Sequence, residues 1–176
     1  MISIWLTPAA KDKKELAAII ADLAAHFDTP KFEPHITVAT SPATPDEIKE
    51  PLRVALRKTR VVRMDACQIG YSTNFTNSLY ISMNASHYYA SLVRAVQESH
   101  SDLLLPKNEP RLSLLYRANE EAFKRKIAQS FEVNGKTYEF NAIKVVQMHH
   151  PVESIRDVAS WRIKANIPLL PREARG

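Results

Sequence analysis

The chain has 176 residues, 45% of them hydrophobic and 24% charged; this excludes a disordered or fibrous protein and suffices for one domain, or two small lobes sharing a core. Three glycines and a single cysteine, Cys67, exclude a collagen-like or disulfide-built chain, and the lone thiol fits a reducing compartment. The net charge of +5 favours anionic partners such as nucleotides, RNA ends or phosphates, although the densest basic cluster, LRKTRVVR at residues 56–63, has the size of an ordinary solvated face.

ISIWL at residues 2–6 is short, apolar and bounded by Thr7-Pro8, so it predicts a first strand and not a signal peptide. Asp12 and Glu15 have the spacing of a capping box, and Leu16, Ile19, Ile20, Leu23 and Phe27 recur behind them at helical spacing. Pro30 and Pro34 frame an extended approach to the strand HITVAT. Thr44 caps a second helix with Pro45 in its first turn, and Pro51 is placed to split or kink it. VVRMDACQIGY and SLYISMNAS predict two antiparallel strands joined through STNFTN. Cys67 reads as a buried residue of the first, and Leu79, Ile81 and Met83 form the buried face of the second.

Ser86 opens a third helix with Tyr89, Leu92, Val93 and Val96 on one face. RLSLLYR is again a strand, and Asn119 caps a fourth helix carrying Phe123, Ile127 and Phe131. Asn134-Gly135 signals a hairpin before YEFNAIKVVQM. A last strand runs around SWRIKANIPL with Trp161 packed in the core, and the tail PREARG is expected to fray. No run approaches the ~18 apolar residues of a membrane span, so a cytoplasmic chain with no membrane partner is expected.

Two octapeptides repeat one phrase. EPHITVAT at residues 33–40 and EPRLSLLY at 109–116 both read Glu-Pro, a basic residue, then aliphatic, hydroxyl, aliphatic. Each is a strand followed by a helix. This predicts an α+β fold in which residues 1–176 form a single bilobal domain, each lobe a mostly antiparallel sheet backed by helices, around a central cleft. Residues two apart on a strand share a face. His35 and Thr37 therefore point away from Ile36 and Val38, and Arg111 and Ser113 away from Leu112 and Leu114. A basic group beside a hydroxyl on each of two facing strands suits a phosphate.

The other histidines serve this pattern less directly. His26, His87 and His100 read as surface or helix-end residues. His149 and His150 fall on opposite faces if their strand continues, so one of them can face the cleft but both cannot chelate one metal. No metal site and no cofactor are expected. Trp5, Tyr71, Phe75 and Tyr116 are the aromatic candidates for stacking on a base.

FEPHITVAT at residues 32–40 resembles the first motif of the cyclic phosphodiesterase family of two-histidine phosphoesterases. EPRLSLLY resembles the second motif, Pro-His-aliphatic-Ser-aliphatic-aliphatic-Tyr, with Arg111 in place of its histidine. SIWL at 3–6 and HPVESI at 150–155 are similar to the family's two ends, so the resemblance spans nearly the whole chain. It implies metal-free hydrolysis of a small-molecule cyclic phosphate, either a nucleoside 2′,3′-cyclic phosphate to the 2′-phosphate or ADP-ribose 1″,2″-cyclic phosphate. One catalytic group would act as general base on water and another as general acid on the leaving alkoxide, with Thr37 and Ser113 gripping phosphate oxygens. His35 would be one of that pair, its acid or base role open. Arginine keeps its proton at physiological pH, so Arg111 would clamp phosphate and hydrolysis would be impaired. The alternatives are a non-catalytic binder of nucleotide phosphates or RNA ends, a relative that opens or joins 2′–5′ RNA linkages, and a structural protein without a small-molecule site. A monomer is expected.

Overall fold

The computed structural model describes residues 1–174. Strands and helices follow one another as β1 (Ile2–Pro8), α1 (Ala10–Phe27), β2 (Ile36–Ser41), α2 (Pro45–Leu56), β3 (Val62–Tyr71) and β4 (Leu79–Met83), then α3 (His87–Ser99), β5 (Arg111–Leu115), α4 (Glu121–Ser130), β6 (Thr137–Gln147), α5 (Ile155–Ala159) and β7 (Arg162–Pro168). All strand pairings are antiparallel.

Two three-stranded units make up the α+β architecture. β6-β1-β2 and β3-β4-β5 meet along β2–β5 and along β3–β6, and β7 adds to the first unit at β6. The order β1-α1-β2-α2 is repeated as β4-α3-β5-α4. Helix contacts repeat as well: α1 lies against β5 and α3 against β2, while α2 lies against β6 and α4 against β3. The two lobes are therefore related by a pseudo-two-fold axis. Its position is fixed by the β2–β5 pairing, where Ile36 stands opposite Leu112. The octapeptide repeat is the sequence trace of this axis.

Local sequence explains most of these elements. Leu16, Ile20, Leu23 and Phe27 of α1 are buried, at the spacing that puts them on one helix face. Thr44 and Glu47 form the capping box that starts α2, which continues unbroken through the exposed Pro51. Ser86 caps α3, whose buried face carries Tyr89, Leu92 and Val96. In β4, Leu79, Ile81 and Met83 are buried and alternate with half-buried Tyr80 and Ser82.

Several expectations are corrected. Asp12 does not cap α1, whose N-cap is Ala9 without a side-chain bond. Its carboxylate instead accepts from the Glu139 N–H at 2.7 Å, tying α1 to β6, while Glu15 pairs with Lys136. The N-cap position of the fourth helix is held by Glu120, not Asn119, without a side-chain bond, and both residues lie in left-handed backbone. Phe123 and Phe131 are 37% and 41% exposed, so they do not form its buried face. That face centres on Lys124, fully buried, whose ammonium donates to the Ser72 and Arg117 carbonyls at 2.9 and 2.6 Å. A charged donor satisfied by two carbonyls offsets the cost of burial that an apolar residue would avoid. It straps α4 onto the β3–β4 loop, as does the Asn119 N–H on the Thr73 carbonyl at 2.8 Å.

Asn134-Gly135 makes a turn, with Gly135 at φ 77°, but it joins α4 to β6 and no hairpin forms. Cys67 is half-buried and bonds Asn84 Oδ1 at 3.0 Å. The sequence reading missed the short helix α5, opened by a capping box of Ser154 and Asp157. Arg60 ties the expected frayed tail by holding the Pro171 carbonyl at 2.9 Å and pairing with Glu173; the rest of that expectation, at 175–176, lies outside the described residues. Among the described residues no helix is long and apolar enough to cross a membrane.

Candidate active site

β2 and β5 run antiparallel with Ile36 opposite Leu112, and antiparallel geometry carries that register one residue to either side. It sets His35 alongside Ser113 and Thr37 alongside Arg111, so a square of two basic groups and two hydroxyls straddles the pseudo-axis. All four line one cleft of about 400 Å³. His35 stands one residue before β2, and Arg111 is the first residue of β5. The apolar residues between them, Ile36, Val38, Leu112 and Leu114, face the core, each at 0–1% exposure. Strand alternation alone thus aims the polar set at the cleft.

His35 is 3% exposed. Its Nδ1 lies 2.7 Å from the Glu33 carbonyl. A carbonyl only accepts, so Nδ1 carries the proton and Nε2 keeps its lone pair. The ring lies flat on Trp5, centroids 3.7 Å apart at 9°, and Trp161 meets it edge-on at 5.8 Å. Burial pushes the imidazole down to about 4, against the upward pull of the Glu33 carbonyl and carboxylate. Near pH 7 the ring is neutral.

Glu33 is itself fixed from two elements. Burial would raise its carboxyl, but hydrogen bonds and charge from Lys13 of α1 and Lys144 of β6 outweigh that and hold it below the usual range. The ion-paired side chain anchors the residue whose backbone carbonyl sets the His35 tautomer.

Arg111 sits at the symmetry-related position on an equivalent support. Trp5 stands opposite Thr37 in β1–β2, and Tyr80 opposite Ser113 in β4–β5. Each aromatic carries the neighbouring basic group: His35 stacks on Trp5, and the Arg111 guanidinium lies 4.4 Å over the Tyr80 ring. Among the described residues Arg111 has no carboxylate partner, which leaves its donor fork free for an anion.

Gly70 makes room for this support. It pairs with Tyr80, and a Cβ there would stand 2.5 Å from ring carbons and 2.6 Å from the hydroxyl. Gly70→Ala is expected to push the ring aside and misplace Arg111, lowering kcat/KM by up to about 10²-fold, chiefly through KM. A variant with unaltered kcat/KM would show that Arg111 does not depend on Tyr80.

Tyr116 and Trp161 close the His35 side of the cleft. Burial pushes the Tyr116 phenol up to about 12, against a hydrogen bond with Ser113. Trp161 packs edge-on against Trp5 and Tyr116, at 5.2 and 5.3 Å. It precedes β7 and lines the cleft, a correction of its expected place in the core. Of the other aromatics, Phe75 leans on Tyr116 at 6.1 Å, and Tyr71 stands outside the cleft lining.

Six histidines sort cleanly. His35 and His150 line the cleft. His26 stacks on Phe123 at 4.5 Å, His87 opens α3, and His100 Nδ1 accepts from the Asp102 N–H at 3.2 Å. His149 is exposed and outside the cleft lining. Among the described residues no group of three or more His, Cys, Asp or Glu could hold a metal ion.

Two lobes about a pseudo-axis, with a strand from each presenting a basic residue and a hydroxyl to one cleft, define the two-histidine phosphoesterase fold. The family of cyclic phosphodiesterase-like proteins matches residues 1–169, and the chain belongs to it. Among solved structures, Escherichia coli LigT complexed with 3′-AMP superposes with a TM-score of 0.63 at 12% identity, covering 96% of this chain and 97% of its own. A second structure described as a phosphoesterase gives 0.62 at 13% identity, covering 96% and 97%. TT0787 of Thermus thermophilus gives 0.59 at 12%, covering 98% and 99%. At such identities the likeness is one of fold. No curated protein gives a significant match.

Proposed function

We propose that this chain hydrolyses a cyclic phosphodiester, a nucleoside 2′,3′-cyclic phosphate to the 2′-phosphate or the 1″,2″-cyclic phosphate of ADP-ribose, acting as a monomeric bilobal unit in the cytoplasm. The observation that carries this reading is the neutral His35 imidazole, its proton committed to the Glu33 carbonyl, in one cleft with Thr37, Ser113 and Arg111. Nε2 takes a proton from water as the water oxygen bonds to phosphorus. One ribose oxygen departs and must gain a proton. Thr37 and Ser113 hold non-bridging oxygens, and Arg111 neutralises charge that grows on them. A group whose pKa has fallen to about 4 is present as free base at neutral pH, so His35 takes the base role. Structures of E. coli LigT complexed with 3′-AMP, phosphate, ATP and NADP+ support nucleotide phosphates as the ligand class.

Arg111 also favours a second reading. It cannot exchange a proton, and a clamp without an acid would bind the cyclic nucleotide and leave it whole. Incubation with 2′,3′-cyclic nucleotide in EDTA, followed by phosphorus NMR, separates the two. Conversion to the 2′-phosphate is expected. Saturable binding of intact ligand over hours would establish the binder, and neither binding nor conversion of either cyclic phosphate would reject both.

A further inference from the structure

The proposed reaction leaves one proton without a source: Arg111 keeps its own, and His35 enters each turnover unprotonated. His150 is the second histidine of the cleft. It is exposed, and no hydrogen bond among the described residues engages its ring. Both nitrogens are therefore free to meet a ligand.

Its segment leaves the sheet at a defined place. Gln147 stands opposite Ile2, and the Met148 N–H bonds the Met1 carbonyl at 3.1 Å. Ile2 and Ser3 in turn stand opposite Ser41 and Thr40, the far end of β2 from His35. The Arg111 side of the square lies towards that same end, because Thr37 follows His35 in β2 and Arg111 runs alongside Thr37. Downstream, the Glu153 and Ser154 N–H groups bond Asp157 Oδ2 at 3.1 and 2.9 Å. The segment carrying His150 is thus anchored upstream to β1 and runs downstream into the cap of α5, and Met148, Pro151 and Val152 line the cleft with it.

We propose that His150 is the general acid of this site, giving its proton to the departing ribose oxygen in the role that Arg111 cannot fill. The inference rests on the hydrolytic reading of the cleft. In-line displacement places attacking and leaving oxygens on opposite sides of phosphorus, so base and acid belong at opposite ends of the phosphate site. His35 stands at one end, and the His150 segment leaves from the other. Per turnover, His35 Nε2 accepts one proton from water, a P–O bond forms and one P–O bond breaks. The imidazolium of His150 releases one proton to the freed oxygen. Exchange with solvent resets both rings.

Leaving-group chemistry tests this directly. His150→Ala should lower kcat on a 2′,3′-cyclic nucleotide by about 10²-fold or more. On a nucleoside 2′-(p-nitrophenyl phosphate), whose leaving group departs without a proton, the same variant should stay within about threefold. Placing Arg111→His in the His150→Ala background should restore at least part of the lost rate, by returning an imidazole to the cleft. Equal losses on both substrates would reject the acid role and leave His150 a binding residue. A His150→Ala protein with unaltered turnover would reject the inference while the hydrolytic reading stands, as would a leaving-group-selective loss in Tyr116→Phe alone. If the unsubstituted chain cleaves neither substrate, it is the hydrolytic reading that fails.

Discussion

A His35→Gln protein is expected to lose about 10²–10⁴-fold of its turnover on a 2′,3′-cyclic nucleotide while still binding inorganic phosphate. Glutamine can donate an amide hydrogen to the Glu33 carbonyl and fill part of the space above Trp5, but its amide oxygen is no base at neutral pH. The loss should fall on kcat, because Thr37, Ser113 and Arg111 remain to hold the anion. The same variant carries a stability signature. His35 binds its proton only near pH 4 in the folded chain, against an ordinary value of 6.5. Between those values the unfolded chain holds more protons, so stability rises with pH through the window, is complete above it and is lost on acidification. Acidification through the whole window would cost the fold on the order of 3 kcal/mol, and near pH 7, where the ring is neutral in both states, that cost is small. Urea unfolding at pH 4.5 and 7 should show the original protein losing more stability than His35→Gln on acidification. Equal losses would mean the ring is not held neutral by burial, and the base assignment would go with it.

The stacking of His35 on Trp5 was hidden in the sequence although the square itself was not. Strand alternation is local, so a repeated basic-aliphatic-hydroxyl phrase was enough to place His35, Thr37, Arg111 and Ser113 on matching faces. What supports them is set by pairing between segments far apart in the chain. Lys144 reaches Glu33 across 111 residues, and no periodicity reports that. Trp5 and Tyr80 left a trace, since each lies in the strand preceding its octapeptide's strand in the chain. Only the β1–β2 and β4–β5 registers show that they are equivalent. Lys124 shows the reverse failure. Of Phe123, Ile127 and Phe131 only Ile127 packs against the core, and the fully buried side chain of α4 is that of Lys124, its ammonium held by two loop carbonyls. An apolar pattern cannot reveal a buried ammonium satisfied by loop carbonyls, one nearby at Arg117 and one distant at Ser72. His150 was visible as one of two histidines on opposite faces; which of them reaches the cleft depended on where β6 ends.

Arg111→Ala is expected to lower kcat/KM by about 10²–10³-fold, the usual cost of removing one preorganised donor from developing charge. Phosphate affinity measured by calorimetry should fall in parallel, because among the described residues the guanidinium has no carboxylate partner to release. Lysine restores charge but not the planar fork, nor the same flat contact with Tyr80 at 4.4 Å, so Arg111→Lys should recover only part of the loss. Arg111→His is the informative third variant. With His150 in place the site already has its acid, so a histidine at 111 surrenders the clamp for a proton it does not need: affinity falls while kcat stays within about tenfold. A rise of several orders of magnitude instead would mean that position 111 alone limits the chemistry and that the original chain lacks a working acid. Should Arg111→Ala leave both phosphate affinity and turnover intact, the phosphate binds elsewhere in the cleft, and the square about the pseudo-axis would be architecture without chemistry.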